Sequence, residues 1–257
     1  MNCSQRRILF LICGCALFSL FVAAILSMPP FGHYRGPYGD ILNRETVYER
    51  HVTDVVAAVN FDWRGIDTLG EEAILFLSVV GVAVLLRKQP SDDKKSERDA
   101  NSDDGWHRRE IPLPTEATRV VTLGLVGPLV TFGIYIITHG HLTPGGGFQG
   151  GVILATAPLL VYLSGDLKTF KTMANHQAVE IAKGLGIAGF LCLGLPGMIF
   201  GGAYLRNVLA LGATGDIFSG GMIPLINVCT GAAVGAGLVM VIYSFLEKTL
   251  EIRMGSE

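Results

Sequence analysis

The chain has 257 residues, of which 50% are hydrophobic and 16% are charged, and its mean hydropathy is +0.46. A soluble domain carries about 25% charged residues, so this composition excludes an ordinary soluble globule. The net charge of -2 offers no basic surface for a nucleic acid, and five cysteines, an odd number, form no disulfide framework.

The apolar residues form long stretches that are free of charge. No Asp, Glu, Lys or Arg lies between Val120 and Gly165, whereas sixteen charged residues fall between Arg87 and Arg119. A helix that crosses a bilayer needs about 20 apolar residues. We therefore predict an all-α integral membrane protein with about six transmembrane helices, the fourth of them short: Ile8 to Leu26, Leu69 to Leu86, Val120 to Thr138, Phe148 to Ser164, Val179 to Gly202 and Gly221 to Leu246.

The first segment follows Arg6 and Arg7, as a signal peptide would. Its apolar run of 19 residues exceeds the usual core of about 7–15, and no A-x-A site follows, so we interpret it as a retained span. With the N-terminus inside, fifteen of the 20 Lys and Arg residues lie on the inner side. This bias predicts a multi-pass protein of the cell (inner) membrane with both termini in the cytoplasm.

The charge pattern divides the chain into two membrane modules. Residues 1–87 contain two spans, residues 88–114 form a charged cytoplasmic linker, and residues 115–257 contain four spans. Apolar residues at helical spacing in the first outer loop predict a helix that lies against the membrane or a partner: Tyr48, Val52, Val55, Val56 and Val59.

Proline and glycine recur in the four spans of the second module. Each span has one proline, which we interpret as a kink in a bundle, with broken helices along an ion path as the alternative. The prolines are Pro128, Pro158, Pro196 and Pro224. Gly197 and Gly201, like Gly231 and Gly235, are four residues apart, which lets helices approach closely. These faces favour tight packing against other membrane subunits.

The densest motif is HGHLTPGGGFQGG, His139 to Gly151, at the outer end of the third span. Three of its glycines match G-x-G-x-x-G, but no βαβ unit surrounds them, so a dinucleotide site is excluded. His139 and His141 are two ligands, whereas a catalytic zinc needs three, so we predict neither a metal site nor a cofactor. A proton relay through the two histidines is an alternative role.

The same motif predicts a tight turn, re-entrant at membrane depth, whose backbone is satisfied by the polar side chains of His139, His141, Thr143 and Gln149. The residues assigned to this structural loop are Pro144, Gly145, Gly146, Gly147, Gln149 and Gly150.

Three carboxylates, Asp67, Glu71 and Glu72, lie at the start of the second span. A carboxylate within a membrane is costly unless it has a partner or a function, so all three are candidates for an ion path. Thr68 and Glu71 also fit a capping box, which explains Glu71 equally well. Glu72 has no such explanation and is the better candidate for binding a cation.

Glu180 and Lys183 lie three residues apart near the inner end of the fifth span. We interpret them as an interfacial ion pair with a snorkelling lysine, and a proton relay is the functional alternative.

The stretch FGIYIITHGHLTPGGGFQGGVILATAPLLVYL, Phe132 to Leu163, resembles the signature of the B-type subunit of the Mrp-type multisubunit Na+/H+ antiporters. It also resembles the related subunit of membrane-bound hydrogenase and sulfane reductase complexes, and the similarity covers Glu110 to Leu250. The stretch NFDWRGIDTLGEEAILFLSVVGVAVLLR, Asn60 to Arg87, is similar to the C-terminal part of the large A-type subunit of the same antiporters. This chain departs from the antiporter pattern because it joins the two without the large proton-channel portion.

The resemblance implies an accessory subunit of a Na+/H+ antiporter complex that contributes to the cation path and to assembly. Its partners would be other membrane subunits and the lipid bilayer, its transported ions Na+ and H+, and it would catalyse no reaction of its own. In the resembling family the DTLGE segment lies where a sodium path has been proposed, which supports Asp67, Glu71 and Glu72 as a group. The alternatives are a membrane-arm subunit of a hydrogenase-like, ferredoxin-linked ion-pumping complex, a membrane-embedded metalloenzyme built on the histidine pair, and a self-sufficient transporter.

Overall fold

The computed structural model describes residues 3–28, 36–86 and 114–254, and helices are the only regular secondary structure among them. Five of these helices are long and apolar enough to cross a membrane. The predicted class, an all-α membrane protein, is therefore confirmed. The helices are α1 (Cys3–Leu26), α2 (Tyr38–Arg50), α3 (Val55–Ala58), α4 (Gly65–Leu86), α5 (Glu116–Thr138), α6 (Gly147–Leu163), α7 (Leu167–Met173), α8 (His176–Phe200) and α9 (Ile223–Met254), with a π-helical turn at Val59–Trp63 between α3 and α4.

Five of the six predicted spans correspond to α1, α4, α5, α8 and α9. The predicted fourth span corresponds to α6, which has 17 residues and is about 25 Å long at 1.5 Å per residue. It is shorter than a bilayer core of about 30 Å. Gly165, with φ of 82°, follows its end, in a backbone conformation that favours glycine.

Contacts divide the chain into two compact units, Met1–Ile41 and Leu42–Glu257. In the first unit, no residue of the apolar stretch Arg7–Leu26 is buried. The linker predicted at residues 88–114 lies outside the described residues except for Pro114, so the boundaries of the two predicted modules remain a prediction.

Helix α9 is the centre of the second unit. In its apolar stretch 56% of the residues are buried, compared with 11% in α4 and in α5, because α4, α6 and α8 all pack against α9. Helix α4 of the first predicted module thus packs directly on α9 of the second. Of the three predicted carboxylates on α4, Glu72 is buried in this unit.

Glycines allow the close approach of several helices within this unit. The backbone of Gly151 on α6 faces Gly231 and Gly235 on α9, and a Cβ added to Gly151 would lie 2.9 Å from the carbonyl oxygen of Gly231. Gly197, in contrast, packs against the loop that follows α8, at Ala203 and Arg206. These small-residue faces contact the chain itself, which corrects the expectation that they pack against other subunits.

The prolines do not interrupt their helices. Helices α5, α6 and α8 continue through Pro128, Pro158 and Pro196. Pro224 lies in the first turn of α9, where its missing N–H is tolerated, so it is not a kink within a span. The broken-helix alternative therefore has no support in these four helices.

The outer segment after α2 is not one continuous helix, which corrects the interpretation of its apolar spacing. His51 has φ of 54°, and Asp54 then caps α3 by accepting hydrogen bonds from the N–H groups of Val56 and Ala57 at 2.8 and 3.3 Å. Val52 is completely buried in a cluster with Leu205 and Ile223. It packs within the chain rather than against a membrane or a partner.

Candidate functional site

The start of α4 differs from the sequence interpretation. The helix begins at Gly65, three residues before the predicted cap Thr68. Thr68 is 2% exposed, and its hydroxyl donates a hydrogen bond of 2.7 Å to the carbonyl oxygen of Asn60 in the π-helical turn. Since Thr68 lies inside the helix, the capping-box explanation of Glu71 is wrong.

The three carboxylates of α4 lie in three different environments. Asp67 is half-exposed and pairs with Arg64 at 2.5 Å. Glu71 is exposed, whereas Glu72 is 1% exposed and neither of its carboxylate oxygens has a hydrogen-bond partner among the described residues. Consecutive residues on a helix are separated by about 100° around its axis, which sends the side chains of Glu71 and Glu72 in different directions.

Glu71 lines a cleft of about 150 Å³, here called the outer cleft. The opposite wall is the predicted structural loop within residues 144–150, here called the glycine loop. The outer cleft is lined by Val56, Ala57, Asn60, Phe61, Glu71, Gly145, Gly146, Phe148 and Gln149. Two motifs that are more than 70 residues apart in the sequence therefore share one cavity.

The glycine loop is a tight turn between α5 and α6. The N–H of Gly146 donates to the carbonyl oxygen of Ile136 at 3.2 Å, and Gly146 has φ of 129°. The N–H of Gly147 donates at 2.8 Å to Oδ1 of Asn227, which is completely buried on α9. Of the other residues assigned to this loop, Gly145 is half-buried, Gly150 is buried, and Pro144 and Gln149 are exposed.

Asn227 is a residue that the sequence reasoning missed. We expected histidine, threonine and glutamine side chains of the loop itself to satisfy its backbone, but Asn227 on α9 supplies the acceptor for Gly147. The available signal was its chemistry, because Asn227 is the one amide side chain in the last predicted span. A polar residue in a span usually has a structural or functional partner.

The two histidines of the loop differ in burial. The ring of His139 stacks on Tyr135, with centroids 4.3 Å apart. His141 is completely buried, and neither ring nitrogen makes a hydrogen bond of normal geometry within the described part of the chain. Burial lowers the pKa of His141 from 6.5, against an opposing effect of the nearby backbone of Asp216 and Ile217. The arrangement thus favours a neutral His141.

Glu180 and Lys183 do not form the predicted ion pair. Glu180 lies 3.7 Å from Nδ1 of His176, and both side chains are exposed. Lys183 is 6% exposed, and its Nζ lies 5.0 Å from the ring centroid of Phe76 on α4. Lys183 belongs to the buried stripe of α8, so the interpretation as a snorkelling interfacial lysine is wrong. That stripe is Lys183, Gly186, Phe190, Gly194 and Gly197.

A second polar cluster holds the outer segment in place. Nε of Arg50 lies 2.7 Å from Oδ2 of Asp62, and Arg50 also lies over the Trp63 ring at 5.3 Å. Nδ2 of Asn207, in the loop after α8, donates to Asp62 at 3.3 Å. Burial raises the pKa of Asp62, and this effect exceeds the lowering by Arg50. The cluster ties the π-helical turn beside the outer cleft to the loop after α8.

Part of this chain is similar to a known family of membrane proteins. A family model described as a domain related to the MnhB subunit of Na+/H+ antiporters matches residues 117–240. An uncharacterized protein of Methanocaldococcus jannaschii is 33% identical over 208 residues, which cover 75% of this chain and 77% of that protein. The B-type subunit of the Na(+)/H(+) antiporter of Alkalihalophilus pseudofirmus is 40% identical over 91 residues, or 35% of this chain and 59% of that protein.

A solved structure matches nearly the whole chain. It is that of the membrane-bound sulfane sulfur reductase, an archaeal respiratory membrane complex. One of its chains is 30% identical to this chain with a TM-score of 0.70, and the match covers 94% of this chain and 98% of that one. The similarity therefore extends over both predicted modules, whereas the family model covers only the second.

Proposed function

We propose that this chain, whose residues 117–240 match the family model of a domain related to the MnhB subunit of Na+/H+ antiporters, is an accessory subunit of a cation/H+ antiporter complex. Five span-length helices and the similarity to the B-type antiporter subunits support this proposal. Other membrane subunits are its partners, and the complex lies in the cell membrane with both termini of this chain in the cytoplasm. Ion exchange belongs to the assembled complex, and this chain catalyses no reaction of its own.

Within that complex, Glu72 is the cation-binding residue and Glu71 lies on the way to it. The observation that supports this assignment is the burial of Glu72 without any hydrogen-bond partner among the described residues. An unpaired buried carboxylate costs several kcal/mol, on the order of the cost of moving one ion out of water. A bound cation or a proton removes that cost. The exposed Glu71, in the outer cleft, attracts cations to the same turn of α4.

The glycine loop serves assembly rather than ion affinity. Its backbone is held by α5 and by Asn227 of α9, and its glycines form one wall of the outer cleft. Lys183 on α8 is buried, as Glu72 on α4 is, and of the two loop histidines His141 is completely buried. We propose no ion-binding role for Asp67 or Glu180, because both are exposed and each is paired.

The test compares two isosteric amide variants, Glu72→Gln and Asp67→Asn, in the whole complex. Sodium-dependent proton movement is measured in everted membrane vesicles, with subunit composition checked after purification in mild detergent. We expect Glu72→Gln to reduce exchange at least about tenfold, since one lost charge–ligand contact is worth about 1.5–3 kcal/mol. Asp67→Asn is expected to retain exchange. Wild-type exchange by a normally assembled Glu72→Gln complex would remove Glu72 from the cation path.

A second candidate is the membrane arm of a respiratory, ferredoxin-linked ion-pumping complex. The observation that favours it is the match to 98% of one chain of an archaeal respiratory complex, so a chain of this extent occurs in such an assembly. The role of Glu72 is the same in both hosts. Proteins that co-purify in mild detergent distinguish them, because iron–sulfur or hydrogenase-like subunits appear only with the respiratory host.

A further inference from the structure

We propose that the hydroxyl of Thr230 on α9 is a second ligand of the cation at Glu72, so that the binding site lies between α4 and α9. This inference rests on the proposed function, because it adds a ligand to the same site. Thr230 lies in the part of the chain that the family model matches, whereas Glu72 lies outside it. Each half of the chain would then contribute one side chain to the site.

The register of the two helices places Thr230 opposite Glu72. A Cβ added to Gly237 on α9 would lie 3.3 Å from Val79 on α4, so these two residues are in contact. Seven residues make about two helical turns, and a residue seven positions earlier lies on the same side of its helix. Two turns before Gly237 is Thr230, and two turns before Val79 is Glu72.

Thr230 lies opposite Glu72 only if α4 and α9 run in the same direction. Leu69, near the start of α4, packs against the cluster that contains Ile223 and Ile226 at the start of α9. This contact precedes the contact of Gly237 with Val79 along both helices, which makes the helices parallel. Thr230 and Glu72 consequently lie at the same level of the interface.

The hydroxyl of Thr230 is available for a ligand. Other serines and threonines of these helices donate to the carbonyl oxygen four residues earlier, as Ser78, Thr131 and Ser244 do at 2.8, 3.1 and 2.9 Å. Thr230 is completely buried, yet its hydroxyl has no hydrogen-bond partner in the described part of the chain. A buried polar group without a partner destabilises the folded chain, and a ligand would offset that cost.

The neighbours of Thr230 favour an oxygen directed away from the glycine loop. A Cβ added to Gly147 would lie 2.6 Å from Cβ and 2.8 Å from the methyl carbon of Thr230, so its apolar part faces that loop. Asn227, one turn earlier on α9, holds Gly147 by a hydrogen bond of 2.8 Å. The loop therefore positions Thr230 instead of binding the ion itself.

The chemistry of this pair fits a monovalent cation. Carboxylate and hydroxyl oxygens are suitable ligands for hard cations. One carboxylate neutralises one positive charge, whereas a divalent ion would leave a net charge in a buried site, at a high desolvation cost. The remaining ligands would be water molecules or backbone carbonyl oxygens.

The test uses Thr230→Val, which removes the hydroxyl at nearly constant shape, and Thr230→Ser, which keeps it. The matched control is Thr131→Val, because Thr131 is on α5 and its hydroxyl donates to its own helix. Each variant is assayed in the whole complex for the sodium concentration that gives half-maximal exchange, and for equilibrium binding of radioactive sodium to purified complex. We expect Thr230→Val to raise both values about tenfold, with Thr230→Ser within about twofold of wild type and Thr131→Val unchanged.

A Thr230→Val complex with wild-type sodium affinity would overturn the inference, as would equal losses in Thr230→Val and Thr230→Ser, which would assign the effect to packing. If Thr230→Val fails to assemble, Thr230→Ala is used for the same comparison. Glu72→Gln separates this inference from the proposed function. Loss of exchange in Glu72→Gln together with normal affinity in Thr230→Val overturns the Thr230 ligand alone, whereas normal exchange in Glu72→Gln overturns the cation path itself.

Discussion

Replacing Gly150 by alanine tests whether the contact between α5 and α6 is as close as the structure shows. A Cβ at residue 150 would lie 2.7 Å from the carbonyl oxygen of Gly133 and 3.0 Å from the backbone nitrogen of Ile137, and closer still to the Ile137 side chain. Backbone atoms cannot rotate away from the new methyl group. The two helices would have to separate by about 1 Å to restore ordinary contact distances.

The expected cost is that of overpacking a well-packed interior, about 1–3 kcal/mol. For a protein of this size, 1 kcal/mol corresponds to about 2–4 °C in the midpoint of thermal unfolding, so we expect a decrease of about 2–12 °C. Gly124→Ala on α5 is the matched control, because a Cβ at residue 124 meets no atom within 4 Å. That variant is expected to keep the thermal midpoint of wild type or raise it slightly, because alanine restricts the unfolded chain more than glycine does.

The assay is the thermal midpoint of the purified complex in mild detergent, read as the fraction that still elutes as intact complex after heating. Gly150→Ala should melt below wild type, and Gly124→Ala should melt at or above it. A destabilisation of about 0.5 kcal/mol would already lower the midpoint by about 1 °C. A Gly150→Ala complex that melts within about 1 °C of wild type would therefore refute the close contact of α5 and α6.

Three further predictions concern the polar groups around the outer cleft. Burial lowers the pKa of His141 from 6.5, so this histidine binds a proton more readily in the unfolded chain than in the folded one. The thermal midpoint should therefore fall as the pH decreases from about 7.5 to 5.5, and His141→Leu should weaken that pH dependence. Asn227→Ala leaves the buried N–H of Gly147 without its acceptor, at a cost of about 1–3 kcal/mol, and faster hydrogen exchange at Gly147 would report it. Asp62→Asn removes the nearer of the two carboxylates that pair with Arg50, at 2.7 Å, and leaves Glu49 at 3.6 Å, so it should cost about 1 kcal/mol, as measured by the thermal midpoint.

The helix start at Gly65 shows why part of the site escaped sequence reasoning. The capping pattern at Thr68 is local and statistically favoured, but a π-helical turn brings the Asn60 carbonyl to the Thr68 hydroxyl and allows the helix to begin earlier. The predicted ion pair of Glu180 and Lys183 failed for a related reason. Spacing along one helix indicates which residues are neighbours, but the packing of α8 against α4 and α9 decided that Lys183 would be buried.

Sequence patterns indicated the two motifs that line the outer cleft, but not that these motifs lie next to each other. The DTLGE segment and the glycine loop were each singled out from residue types, but only the structure shows that they line one cavity. Asn227 and Thr230 were missed because single polar residues in an apolar stretch have no spacing pattern of their own. Their roles depend on Gly147 and on α4, which lie far away in the sequence.

The sequence by itself determined that this chain is an all-α membrane protein, because hydropathy over about 20 consecutive residues is a local property that decides partition into a bilayer. It also determined the family resemblance, which a contiguous motif around the glycine loop carries. Only the tertiary structure decided that Glu72 is buried and Glu71 is exposed. The two residues are adjacent and chemically identical, so the difference comes from the packing of α4 in the folded chain, which buries Glu72 and leaves Glu71 in the lining of the outer cleft.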